Sequence, residues 1–353
     1  MKIGGFGVLA ACVLLAGCGG GGGVNSTPTP PPPPPPPAPP LPLKMSATFD
    51  TATSVLSFNG LTRSYPDGNQ QGGEATLNGL SVTGRSSLLT FSYDAASGSY
   101  TVQNKDGSAS FGAGDRKADY AYTNIYSKTA VTTTDELTLY GNARTDTVAS
   151  TPVTLSYTSY GLWARTDSAA NLTTRSYFLY GQSTGAANMP TTGTATYQMV
   201  ASAQIFETNY VPSTLRAIGG SATLSANFGS GTVSTVLTLP GSGFTGIFNG
   251  SGSIGADQFN GTLTAMNPGA VTTNGTFTGG FYGPGAKEAG YVFQIAVHNP
   301  DPYAGAAIAP MDTYISGVAI GASGGTAQSA MAERKPMPVA PPIQPVQAHG
   351  RKF

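Results

Sequence analysis

From residue 191 to about residue 321 the chain repeats one pattern: an apolar side chain at every second position, then a break marked by Gly, Asn or Asp. Ala222, Leu224, Ala226 and Phe228 share one face, with Thr223, Ser225 and Asn227 opposite. Phe259, Gly261, Leu263 and Ala265 alternate with Asn260, Thr262 and Thr264, and Tyr291, Phe293, Ile295 and Val297 form a further row. Eight stretches follow one another, at 193–205, 219–228, 231–239, 244–254, 257–265, 274–283, 289–298 and 313–321. Period 2 is the spacing of a strand with one buried face. Eight short strands in succession fit an antiparallel up-and-down barrel with a filled interior. Gly246, Gly250, Gly252, Gly261 and Gly279 fall on the apolar faces, where a small barrel needs room and sharp bends.

Residues 45–190 carry less regular β signals, and they read as a smaller β-sheet handle domain ahead of the barrel. Leu88–Asp94 and Ser99–Gln103 flank Ala95-Ala96-Ser97-Gly98, a four-residue hairpin loop between alternating strands. Further strands are expected at Asp119–Tyr126, Glu136–Gly141, Val153–Trp163 and Arg175–Gly181. The fold class is all-β throughout. Charged residues are 10% of the chain and the net charge is zero. No basic surface is available for nucleic acid. The two cysteines, Cys12 and Cys18, both precede the folded region, which therefore has no disulfide, thiol nucleophile or thiolate metal site.

The N-terminus reads as an export signal. Lys2 is followed by the apolar run Phe6–Ala16, too short to span a bilayer core of roughly 30 Å. Leu15-Ala16-Gly17-Cys18 resembles the lipobox of bacterial lipoproteins. That resemblance implies cleavage after residue 17, lipid attachment at Cys18 and a membrane held through that anchor. Gly19 follows the cysteine, which by analogy with enterobacterial sorting implies the outer membrane. Residues 18–44 are a Gly/Pro-rich tether. Pro30–Pro37 favours polyproline II, and the proline-rich part reaches on the order of 40 Å. Residues 322–353 show no apolar period, and a disordered tail is expected there. The expected organisation is thus 1–17 signal peptide, 18–44 tether, 45–190 handle, 191–321 barrel and 322–353 tail.

Two segments resemble a known family. Met189-Pro190-Thr191-Thr192-Gly193-Thr194-Ala195-Thr196-Tyr197 opens the barrel. Gly275-Thr276-Phe277-Thr278-Gly279-Gly280-Phe281-Tyr282-Gly283-Pro284, followed by Ala286, Glu288, Gly290 and Phe293, lies near its end. Together they are similar to the barrel domain of transferrin-binding-protein-like surface lipoproteins. The aromatic segment Tyr157–Trp163 and Tyr180-Gly181 add to the likeness. The resemblance implies an eight-stranded barrel with an N-terminal handle behind a lipidated cysteine. It further implies a cell-surface position and a host or environmental protein ligand, with iron acquisition as the purpose. Phe277 and Phe281 are expected in the core, and Glu288 is expected to bond neighbouring backbone.

Little in the chain suggests catalysis. Of two histidines, His298 ends a strand opposite Tyr291, Phe293 and Ile295, and His349 lies in the tail. Neither belongs to a metal-binding spacing or to a nucleophile–His–acid set. His298 is the candidate ligand if the protein instead carries haem or another small molecule. Asp67, Glu74, Asp115, Asp119, Asp135 and Glu136 sit beside turn or basic residues and are expected in solvent. Gly112-Ala113-Gly114 has no following helix and is no phosphate loop. Trp163 and tyrosines 120, 122, 126, 157, 160, 177 and 180 serve either as exposed binding anchors or as cross-strand pairs. The chain is expected to be a monomeric non-enzyme with no cofactor and no metal, whose ligand-contacting residues the sequence does not name. A structural or adhesive surface role is the remaining alternative. The terminal Phe353 could end an outer-membrane barrel, but the stretch before it is no alternating strand.

Overall fold

The computed structural model describes residues 45–60, 75–120, 123–140, 143–145, 152–207, 214–241, 244–266, 272–299 and 311–324. They form a nine-stranded sheet followed by a closed eight-stranded barrel. The sheet strands are β1 (Ala47–Asn59), β2 (Thr76–Asp94), β3 (Ser99–Asn104), β4 (Gly107–Phe111), β5 (Arg116–Tyr120), β6 (Thr123–Thr129) and β7 (Thr133–Tyr140). A separate pair, β8 (Ala143–Thr145) and β9 (Pro152–Thr154), precedes β10 (Thr158–Asp167) and β11 (Leu172–Gly181). The spatial order is β4-β3-β2-β1-β11-β10-β7-β6-β5. Its two ends face each other over one core. Tyr100 of β3 and Phe111 of β4 pack on Tyr126 of β6, with ring centroids 5.4 and 6.3 Å apart. The 3₁₀ turn Ala113–Asp115 carries the chain from β4 to β5, and Asp115 Oδ2 accepts the Gly112 N–H at 2.9 Å.

The barrel runs β12 (Thr194–Glu207), β13 (Thr214–Asn227), β14 (Thr232–Gly241), β15 (Phe244–Gly255), β16 (Gln258–Ala265), β17 (Thr272–Tyr282), β18 (Glu288–Asn299) and β19 (Met311–Ser323). Each strand pairs antiparallel with the next, and β19 closes on β12. The expected eight strands are therefore found within a few residues of their expected bounds. The alternating rows point inward as their period requires. Tyr197, Leu224, Leu237, Phe248, Phe259, Phe277, Phe281, Tyr291, Phe293 and Ile315 are buried together. Burying each such side chain stabilises by about 1.5–3 kcal/mol. Large residues face small ones across the strands: Phe277 pairs with Gly261, Phe293 with Gly317 and Tyr291 with Gly279. A Cβ on Gly261 would lie 2.7 Å from the Phe277 ring. The interior is filled by rings. Where the sheet does not cover the barrel, the outward rows are mostly Ser, Thr and Asn, with Val236, Ile247 and Met266 exposed among them.

Three expectations for the sheet are corrected. The stretch 119–126 is two strands, β5 and β6, because Asp119–Tyr126 holds no Gly or Pro to mark the reversal between them. The stretch 153–163 is broken at residues 155–157 into β9 and β10. Strands β1, β4 and β8 were not anticipated, and β2 begins at Thr76 rather than Leu88. In β1 both faces are buried, so the alternation vanishes. Thr51 Oγ1 donates to the Leu89 carbonyl on one side, and Ser54 Oγ donates to the Phe293 carbonyl of the barrel on the other.

One face of the sheet lies on the barrel. Ala52, Tyr160, Leu162, Tyr177 and Leu179 pack against Val200, Val292, Val318 and Ile320, which point outward from β12, β18 and β19. Farther along, Phe58 stacks on Phe206 at 5.0 Å between ring centroids. The opposite face wraps the sheet's own core of Leu89, Phe91, Val102, Phe111, Leu137, Trp163, Phe178 and Tyr180.

Candidate functional site

Glu288 opens β18 and is 4% exposed. Its carboxylate accepts three successive backbone N–H groups, from Ser156 at 2.5 Å, Tyr157 at 2.9 Å and Thr158 at 2.8 Å. Glu288 therefore does bond backbone, but that backbone belongs to the sheet and lies more than a hundred positions earlier. Residues 155–157 leave the strand so that three donors converge. Burial pushes the carboxyl above the ordinary glutamate range, and the three N–H groups hold it back. Gly283, at φ 73°, lies against the Tyr157 ring, where only glycine fits both the conformation and the space.

A second clasp closes the same end. Asp257, in the turn between β15 and β16, pairs with Arg85 of β2 at 2.6 Å and accepts the Gly185 N–H at 3.1 Å. Gln258 Oε1 accepts the Arg85 N–H at 3.0 Å. Sequence reasoning missed this cluster. Its one signal was Asp257 itself, the single charged residue between Ala217 and Ala286.

The aromatic residues among those described pack in the cores on the two faces of the sheet rather than stand as exposed anchors. Tyr126, Tyr160, Tyr177, Tyr180 and Trp163 are all buried. Trp163 Nε1–H donates to Asp135 Oδ1 at 2.9 Å, with the Arg165 guanidinium 5.8 Å from the indole centroid. Asp135, expected in solvent, is 7% exposed because it serves that indole. Burial raises its carboxyl, against the Trp163 hydrogen bond and the Arg165 charge. Glu136 is exposed as expected, whereas Asp115 is partly buried, its carboxylate turned back onto the Gly112 N–H. The side chains of Asp119 and Tyr120, and Asp67, Glu74, Tyr122, His349 and Cys18 altogether, lie outside the described residues.

The strands give the molecule two unlike ends. At one, the chain enters at Ala47 and leaves at Ser323, and the barrel strands turn through 228–231, 256–257 and 283–287. Both clasps are here. From the other end depart the connections 60–75, 130–132, 168–171, 208–213, 242–243, 266–271 and 300–310. Val131, at the 130–132 tip, is fully exposed at 100%. His298 is half exposed at this end, where Nδ1 meets the Asp312 carboxylate and Tyr314 Oη donates to the other oxygen at 3.3 Å. Arg216 and Glu207 pair beside it at 2.9 Å. Among the described residues no three His, Cys, Asp or Glu side chains group to hold a metal.

Residues 189–319 match the family model of the C-lobe and N-lobe β-barrels of transferrin-binding protein B. They form a barrel of that type. No curated protein matches the chain. Among solved structures, intact Ap-TbpB, with N and C lobes, is 12% identical, covers 79% of this chain and 78% of its own, and has a TM-score of 0.37. A double mutant of transferrin-binding protein B from Haemophilus parasuis is 12% identical over 78% of this chain and 76% of its own, TM-score 0.35. The haemoglobin receptor HpuA from Kingella denitrificans is 14% identical over 85% and 93%, TM-score 0.38.

Proposed function

We propose that this chain is an outer-membrane lipoprotein, anchored through Cys18 and exposed at the cell surface, that binds a protein ligand in the service of iron acquisition. The observation that carries this reading is the match of residues 189–319, strand for strand the barrel, to the barrels of a protein named for binding transferrin. The polarity of the fold supports it. The first described strand begins, at Ala47, on the end that carries the short turns and both clasps, opposite the end from which the longer connections leave. The filled barrel supports contact through an outer surface over enclosure of haem or another small molecule. The chemistry needed is passive: a rigid scaffold and a contact surface, with no positioned base or nucleophile.

Titrating the purified full-length protein with transferrin, haemoglobin and haemin tests the reading. Saturable binding of an iron-carrying protein supports it. A Soret shift with free haemin that His298→Ala weakens, without protein binding, would support the carrier alternative instead.

A further inference from the structure

On the face that the sheet turns to the barrel, the row Ser54, Tyr177, Leu162 and Thr138 crosses β1, β11, β10 and β7 and is buried from end to end. The next row toward the loop-bearing end is Leu56, Arg175, Ala164 and Glu136. It is graded: Leu56 is buried, Arg175 and Ala164 are half-buried, and Glu136 is exposed. The seam between sheet and barrel therefore opens at Arg175, three residues and about 10 Å from the start of β11.

Arg85, Arg165 and Arg216 are half-buried too, and each faces a carboxylate: Asp257 at 2.6 Å, Asp135 at 3.8 Å and Glu207 at 2.9 Å. Arg175 differs. Among the described residues no hydrogen bond or ion pair reaches its guanidinium. Its Nε is buried without a partner, whereas the two Nη groups are not closed over. Burial pushes the guanidinium below the ordinary arginine range, and the fields of Tyr177, Glu136 and Tyr140 offset only part of that. Glu136 starts two strands away, roughly 10 Å by strand spacing, across Ala164. A desolvated cation without a counter-charge costs stability, and an apolar side chain of similar length would fill the position without that cost.

The terminal fork of a guanidinium matches the two oxygens of one carboxylate. One cation balances one negative charge, and Glu136 at the rim repels a second, which disfavours phosphate and sulfate. The surroundings are largely carbon: Leu56, Ala164 and the Tyr140 ring, stacked on Tyr160 at 4.2 Å. They suit an organic stem better than a hydrated inorganic ion.

We propose that Arg175 anchors a ligand site for a single, singly charged carboxylate at the mouth of the sheet–barrel seam. Two sources share that chemistry: an acidic side chain of a protein ligand, and a free small carboxylic acid. The site stands whether or not the protein-binding role proposed above holds.

Saturation-transfer NMR of butyrate with the full-length protein, at fixed ionic strength, tests it. Inorganic phosphate, followed by phosphorus line broadening, is the control. Arg175→Met keeps the length and removes the charge, and its urea midpoint should equal or exceed that of wild type. A saturable butyrate signal, about tenfold or more weaker in Arg175→Met and about threefold stronger in Glu136→Gln, supports the proposal. No saturable signal, a signal equal in wild type and Arg175→Met, or one that Glu136→Gln weakens overturns it. So does a preference for phosphate, or a midpoint of Arg175→Met far below wild type, which would make Arg175 a structural residue. Titrations of transferrin and haemoglobin with and without butyrate separate the sources. Competition seen in wild type and absent in Arg175→Met supports an acidic side chain of the protein ligand. Butyrate binding without such competition supports a free carboxylic acid.

Discussion

Thr158, the first residue of β10, donates its N–H to Glu288, the first residue of β18, at 2.8 Å. A strand of the sheet and a strand of the barrel thus begin at one shared carboxylate. Replacing Glu288 by Gln keeps the shape but turns an amide toward N–H donors that need an acceptor. The expected cost is about 1–3 kcal/mol of stability, read as a lower urea midpoint with unchanged slope. An unchanged midpoint would mean that the three hydrogen bonds contribute nothing net.

The barrel is packed to its limit around Gly261. Gly261→Ala forces a Cβ against both the Ser251 carbonyl oxygen and the Phe277 ring and should cost about 1–3 kcal/mol. Phe277→Leu in the same chain gives back part of that space, so the double variant should lose less than the two single losses added. Simple additivity would contradict the contact.

Alkaline pH should unfold the protein through its tyrosines. Burial pushes Tyr180 and Tyr282 from an ordinary 10.0 up to about 12. A tyrosine raised in the folded state binds its proton more tightly there than in the unfolded chain. Its contribution is complete below pH 10 and is lost as the pH rises through about 12. Tyrosinate absorbance should therefore rise in two steps, the second coinciding with loss of the near-ultraviolet dichroism. Full ionisation near pH 10 with the fold intact would be inconsistent with the burial described.

Lipidation at Cys18 predicts a mature chain that starts there and carries acyl mass, and a Cys18→Ser variant released from the membrane fraction. Mass spectrometry of the N-terminal peptide decides it, and an unmodified N-terminus elsewhere would refute the anchor.

The barrel could be read from the sequence because each of its strands has one dry face, so Tyr291, Phe293 and Ile295 alternate with Val292, Gln294 and Ala296. Even there Val292 is buried, since β18 carries the sheet on its outer side. The same double burial hid β1 completely. The clasps were illegible for a different reason. Arg85 and Asp257 meet only after the sheet has docked on the barrel, just as Asp135 and Trp163 meet only once β7 pairs with β10, and nothing local at either position announces the partner. Glu288 was legible as a residue that bonds backbone, but not as the residue that fastens the sheet to the barrel.

The central claim is that the folded region is a scaffold for holding another protein. Equilibrium binding of the full-length protein to purified transferrin and to haemoglobin, each with free haemin as the competing titrant, addresses it directly. The account predicts saturable binding to an iron-carrying protein that persists in His298→Ala and weakens when the exposed Val131 is replaced by Asp. Binding of haemin alone, abolished by His298→Ala, would contradict it, as would saturable binding to none of the three.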